Sequence, residues 1–208
     1  MVIAIDGPAA SGKGTLAKRL AAHYGLPHLD TGLLYRAVAL TMLDAGFPLE
    51  DEAAAARAAE ALIADRLADP RLRERAMGEA ASRISAVPAV RAALLAWQQR
   101  FAGNSQGAVL DGRDIGTVVC PEARVKLFIT AAPEERARRR HRELEGRGET
   151  TTFDAILADI LARDARDASR ATAPLKAAAD AVMLDTTELD ADEAFEAARV
   201  VVERARPH

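Results

Sequence analysis

Gly7, Gly12 and Lys13 stand in the stretch GPAASGKGT, at positions 7–15, directly after the apolar run VIAI and Asp6. A glycine-rich loop between a strand and a helix lets consecutive backbone N–H groups converge on an anion, and the helix N-terminus adds a favourable dipole. The G-x-x-x-x-G-K spacing makes Gly7, Pro8, Ala9, Ala10, Ser11, Gly12, Lys13, Gly14 and Thr15 a cradle for nucleotide phosphates, with Lys13 reaching the β- and γ-phosphates. An ordinary Gly-rich turn into a helix is the plainer reading, and the apolar strand ahead of the loop argues against it. Gly14 occupies the place where Ser or Thr commonly follows the lysine, and Thr15 comes one position later. That ending points towards small-molecule kinases.

Further along, AVLDG closes an expected strand with Asp111, an acidic residue of the kind found near a P-loop magnesium ion, or else a simple turn Asp. DGRDIGTVV, at 111–119, places Arg113 and Asp114 beyond the carboxyl end of that strand, where open α/β sheets bind ligands. In ARDARDASR, the residues Arg163, Asp167 and Arg170 fall at i, i+4 and i+7 on one helical face, although a solvated ladder of ion pairs would look similar. The segment from Arg136 to Arg142 holds five arginines. Alone it reads as a solvated basic face or an RNA patch, and the absence of interleaved aromatics weakens the RNA reading. His23, His28, His141 and His208 show no metal-ligand spacing and read as surface or incidental residues.

The elements that must position these groups alternate between short apolar runs and longer helical patterns. Val2–Ile5, the brief HLD at 28–30, AVL at 108–110, VKLFIT at 125–130 and AVML at 181–184 are the apolar runs. Helices are expected at 13–24, at 31–45 with Thr31 as cap, at 49–65, from Pro88 to Phe101, and at 133–145, 152–168 and 190–205. The stretch LADPRLRERAMGEAASRISA between them is less regular. Strands alternating with helices imply an α/β architecture, a parallel sheet covered on both faces.

With 208 residues, half of them hydrophobic but only 4% aromatic, the chain supports one α/β domain whose core is built from Leu, Val, Ile and Ala. The net charge of -3 gives no global reason to expect a nucleic-acid or membrane partner. A lone Cys120 excludes an intramolecular disulfide and a cysteine-rich metal site. The chain starts on a strand without a leader-like apolar region, and no apolar run reaches about 18 residues, so a cytoplasmic protein is expected.

Taken in order, IDGPAASGKGTLAKRLA, LDTGLLYR, DGRDIGTVV, PEERARRRHREL, ARDARDASRATAPL and AADAVMLDT resemble the bacterial cytidylate kinases, of the nucleoside monophosphate kinase group, over nearly the whole chain. The resemblance implies a three-layer P-loop fold with a parallel five-stranded sheet: one kinase domain at 1–208, with an acceptor-binding insert at 31–91 and a lid at 134–153. It implies ATP and CMP or dCMP as substrates, and Mg2+ carried with ATP near Thr15 and Asp111 without direct protein ligands. Lys13, Arg113 and Arg163 would be catalytic, with Arg136, Arg139 and Arg140 on the lid over ATP. Thr31 would lie near the base, Tyr35 and Arg36 would face the monophosphate, Ser82 the ribose, and Arg91 the cytosine. Arg113 would hold the acceptor phosphate, Asp114 would read the base, and Arg163, Asp167 and Arg170 would face the acceptor's sugar and phosphates. Read from spacing alone, Tyr35 and Ser82 are equally good helix-packing residues and Arg91 a solvated one.

One departure is the stretch between Tyr35 and Arg91, shorter and richer in helix formers than the strand-forming insert of many relatives. An adenylate- or shikimate-type kinase is the nearest rival. A GTPase switch would need an N-K-x-D guanine site, and the only asparagine is Asn104. A monomer acting on small molecules, with no nucleic acid or membrane as partner, is the expectation.

Overall fold

The computed structural model describes residues 1–205, which leaves His208 outside the described residues. Five parallel strands run β1 (Val2–Asp6), β2 (His28–Asp30), β3 (Ala108–Gly112), β4 (Val125–Thr130) and β5 (Val182–Asp185), in the spatial order β2-β3-β1-β4-β5. Side chains alternate across the sheet as the pleat requires. Ile3 and Ile5 turn with Val109, Leu127 and Ile129 to one face, whereas Ala4, Ala108 and Leu110 turn to the other. The first face is covered by α1 (Lys13–Tyr24) and α8 (Ala191–Ala205). The second is covered by α2 (Thr31–Asp44), α3 (Glu52–Glu60), α4 (Arg75–Ile84) and α5 (Pro88–Ala102). A third small core, Ala137, Leu144, Ile156 and Ile160, belongs to the pair α6 (Pro133–Glu145) and α7 (Phe153–Ser169).

Several boundaries correct the expectations from sequence. The N-cap of α2 is Asp30, whose carboxylate accepts from Gly32 N at 3.0 Å, and Thr31 is already inside the helix with its hydroxyl turned to Asp111 O. Asp can reach the first free N–H groups of a helix while its backbone stays extended, and that is its role here. Instead of spanning 49–65, α3 stops at Glu60. Its buried face is only Ala54, Ala55 and Ala59, and Ile63 just beyond is 66% exposed, so nothing packs a longer helix in place. The stretch expected to be irregular contains two 3₁₀ turns, Ala64–Ala68 and Pro70–Arg73, and then α4. Met77, Ala80, Ala81 and Ile84 fill the buried stripe of α4 at i, i+3, i+4 and i+7, a period masked in the sequence by Pro70 and Gly78. AVML is displaced by one residue, to Val182–Asp185.

The register sets Ile5 beside Asp111 and Asp6 beside Gly112, while Asp30 faces Asp111 from β2. The carboxyl ends of β1, β2 and β3 thus open at one edge, where the phosphate loop and the Arg113–Asp114 loop leave the sheet.

Candidate active site

The phosphate loop owes its shape to two glycines. Gly7 has φ +151° and lies so close to β4 that a Cβ there would come within 2.1 Å of Ile129 O. Gly12 takes φ +87° at the N-cap of α1 with no side-chain cap, so the first amides of the helix stay open to an anion. Lys13 is the first residue of α1, and its Nζ donates to Pro8 O at 3.2 Å. Burial, reinforced by the charges of Arg113 and Arg163, pushes its ammonium down to about 7, although Asp111 and Asp30 oppose the shift.

Across from the loop stands a cluster of arginines around one carboxylate. Asp167 on α7 accepts from Arg113 Nε at 3.0 Å and lies 3.9 Å from Arg163 Nε. Burial would raise its carboxyl, yet Arg113, Arg163 and Arg170 together hold it below the usual range. Arg163 is pushed down to about 10 by burial and by Arg113, and burial also lowers Arg36 and Arg170. Among the described residues, Arg163 Nε and both Arg170 Nε and Nη2 are buried without a hydrogen-bond partner. Cations desolvated together, with donors left over, form a site short of negative charge, which a phosphate would supply.

Beside that cluster, Arg91 forms a buried ion pair with Asp114, donates to Ser85 O at 3.1 Å, and stands 5.6 Å over the ring of Tyr35. Arg170 Nη1 donates to Ser85 Oγ at 3.1 Å, and Arg36 Nη1 to Leu72 O at 2.8 Å. A flat guanidinium next to a carboxylate offers donors and an acceptor in one plane, an arrangement that can read the edge of a base. Phosphate loop, arginine cluster and this pair line one cavity of about 1030 Å³. Ala9, Ala10, Lys13, Gly14, Thr31, Tyr35, Arg36, Arg91, Arg113, Asp114, Arg140, Arg163, Asp167 and Arg170 are all on its wall.

Eight residues expected in the site lie off that wall: Gly7, Pro8, Ser11 and Gly12 of the phosphate loop, and Thr15, Ser82, Arg136 and Arg139. Arg136 is buried, pairing with Asp164 at 2.6 Å and donating to Ala131 O and Ala9 O, so it braces α6 against α7 and the phosphate loop. Arg139 contacts Glu135, Thr186 Oγ1 at 3.0 Å and Thr186 O at 2.5 Å, on the side of the loop next to Gly12. Arg140 alone of the three turns into the cavity, with Glu143 at 2.7 Å. Ser82 is buried within α4 near Arg166, and Ser85, one turn on, takes the place on the wall. Thr15 is exposed on α1.

His28, read from sequence as incidental, is instead half-buried, with Nε2 2.8 Å from Asp111 Oδ1. His23 packs edge-on against Tyr24 and Phe195, and His141 lies 3.2 Å from Glu145. Among the described residues no three His, Cys, Asp or Glu gather as a metal site. Asp111 and Asp30 nevertheless lie side by side on the cavity wall next to Lys13, and burial together with Asp111 raises the Asp30 carboxyl. Two crowded carboxylates beside a phosphate cradle fit a divalent cation that arrives with its own phosphate ligands.

Comparison with known proteins gives one consistent result. The cytidylate kinase family model matches residues 3–204. A cytidylate kinase of Methylobacterium sp. (strain 4-46) is 74% identical over 207 residues, covering 100% of this chain and 99% of its own. Another, from Methylocella silvestris, is 62% identical over 99% of this chain and 95% of its own, and one from Afipia carboxidovorans is 59% identical over 99% of both. An uncharacterized protein from Eubacterium ventriosum shares the fold at a TM-score of 0.55 with 15% identity, over 99% of this chain and 97% of its own.

Proposed function

The chain belongs to the cytidylate kinase family, and from that premise we propose that its cavity moves the γ-phosphoryl group of ATP to CMP or dCMP, giving ADP and CDP or dCDP. The observation that carries the reading is one cavity lined by Lys13 and the start of α1 together with four arginines and the Arg91–Asp114 pair. Among the described residues, none favours an adenylate- or shikimate-type acceptor.

In this reading Lys13 and the loop amides hold the donor phosphates, and Arg36, Arg113, Arg163 and Arg170 hold the acceptor phosphate in line with them. Phosphoryl transfer needs little covalent help, so positioning and charge compensation do the work. The acceptor is already an anionic phosphate, and no strong general base is required. Asp30 and Asp111 would stand nearest to Mg2+ bound with ATP, and the ion would supply neutralisation of the charge that develops on the phosphates. Helices α2 to α4, within 31–91, act as the acceptor-binding insert, and 134–153 as the lid, with Arg139 and Arg140 on the donor side. Substrates and product are small soluble nucleotides, which supports a cytoplasmic enzyme, and no part of the reaction needs a second subunit.

Asp114 accepts from the N4 amino group of cytosine and Arg91 donates to N3 or O2, whereas uracil presents acceptor to acceptor and donor to donor. Asp114→Ala should therefore narrow the ratio of kcat/KM for CMP over UMP by at least about tenfold. Steady-state kinetics with both acceptors decides it, and an unchanged ratio removes Asp114 from base recognition.

A further inference from the structure

Asp6, the last residue of β1, is 4% exposed and takes no part in the reaction described above. Its Oδ1 accepts from Ile115 N at 2.7 Å and its Oδ2 from Gly116 N at 2.8 Å. These are the opening amides of the single π-helical turn Ile115–Val119, whose N-cap position is held by Asp114. An Asp at such a position ordinarily folds its own carboxylate onto those amides. Asp114 makes no such bond, and its carboxylate pairs with Arg91.

We propose that Asp6 is a positioning residue for acceptor selection: by capping the turn at 115–119 from the neighbouring strand, it leaves the Asp114 carboxylate to Arg91 and to the base. The proposal rests on the reading of Asp114 given above. Close packing supports it, since a Cβ on Gly116 would come within 3.4 Å of Asp6 Oδ2 and of the Lys126 stem, so the turn is seated directly on the carboxylate. The cap is also sensitive to protonation. Burial raises the Asp6 carboxyl to about 6, with the amides of Gly116 and Ile115 opposing, Asp114 adding to the rise and Arg113 counteracting it. The other groups facing it are Lys126, tied to Asp180 at 2.7 Å, and the Cys120 thiol, itself pushed up to about 11 by burial and by Asp6.

The test is kcat/KM for CMP and for UMP in wild type, Asp6→Asn, Asp6→Ala and Asp114→Ala. The CMP/UMP ratio does not depend on how much of each preparation is folded. Asn keeps one acceptor and Ala none, so the ratio should narrow at least about fivefold in Asp6→Asn and further in Asp6→Ala, with KM for ATP within about twofold of wild type. Equal losses for both nucleotides, with the ratio intact, would reduce Asp6 to a structural residue and overturn the proposal. If Asp114→Ala leaves the ratio unchanged, base reading by Asp114 fails. If Asp114→Ala narrows it and the Asp6 variants do not, this inference alone fails. Should the variants not fold, the wild-type ratio decides the matter, because it should shrink as pH falls from about 8 to about 5.5 and Asp6 takes up its proton. A flat ratio over that range overturns the proposal.

Discussion

Lys13, proposed above to hold the donor phosphates, would carry that role in its protonation. Crowded by burial and by Arg113 and Arg163, its ammonium is half-neutral near pH 7, and a bound polyphosphate would return it to the ordinary lysine range. The sign follows: a depressed pKa that recovers on binding means proton uptake, close to zero at about pH 6 and approaching one proton at about pH 8. Calorimetry of ATP binding in buffers of different ionisation enthalpy measures this uptake, and Lys13→Ala should abolish it along with at least about a hundredfold of turnover. Uptake that persists in the variant would assign the proton to another group. Lys13 was legible in the sequence because its motif is local, and Arg163, Asp167 and Arg170 because helical spacing aligns them. Asp6, His28 and Ser85 were not, since their partners lie 109, 83 and 85 residues away and only the sheet register and the approach of α7 to α4 bring them together.

Among the elements, the α6–α7 pair carries a division of labour that a run of arginines conceals. Arg136, Arg139 and Arg140 share a helical face in projection, yet each meets a different neighbour: Asp164, Thr186 and the cavity. Removing the buried Arg136 leaves a half-buried Asp164 and Ala9 O without their donor, which should cost about 3 kcal/mol of stability. In a chain of this size that is a fall of about 6–12 °C in Tm. Arg139→Ala should melt close to wild type and lower the single-turnover transfer rate about tenfold with little change in KM for CMP. Thermal melts beside rapid-quench kinetics separate the two, and an Arg136→Ala protein that melts normally would return Arg136 to the chemistry. The helix pattern of α6 was plain in the sequence, but the identity of each arginine's partner depends on packing against α7 and on the β5–α8 turn. Likewise α4 was hidden because its apolar stripe is short and made largely of alanine and methionine, residues whose periodicity stands out weakly beside five arginines between Arg66 and Arg83.

For the molecule as a whole, the cavity lies between α4 on one side and α6–α7 on the other. The contacts that join these sides along the cavity wall are exposed and polar: Arg75 with Asp159, Arg147 Nη1 with Arg73 O at 3.0 Å, and Arg166 with Glu79 at 2.5 Å. Exposed ion pairs contribute about 0–1 kcal/mol each, so the two sides are held together weakly until anions fill the cationic space. Substrates should accordingly stabilise the protein strongly. CMP with a non-hydrolysable ATP analogue, each at about a hundred times its Kd, should add at least about 2.7 kcal/mol and raise Tm by about 5–10 °C. Inorganic phosphate alone should give a smaller rise that disappears in Arg113→Ala with Arg163→Ala, as differential scanning fluorimetry would read. A rise unaltered in the double variant would place the stabilising anion elsewhere.

The strand order has a consequence for the birth of the chain. β1 is made first, yet it sits at the middle of the sheet between β3 and β4, so neither of its neighbours exists until more than a hundred further residues have been translated. At elongation speeds of about 5–20 residues per second, that is a wait of roughly 5–20 s. Throughout it VIAI is an unpaired apolar segment at the ribosome exit, open to β-pairing with other nascent chains. Its shelter in that interval would come from early, sheet-free packing of α2 with the helices that follow it, or from a chaperone.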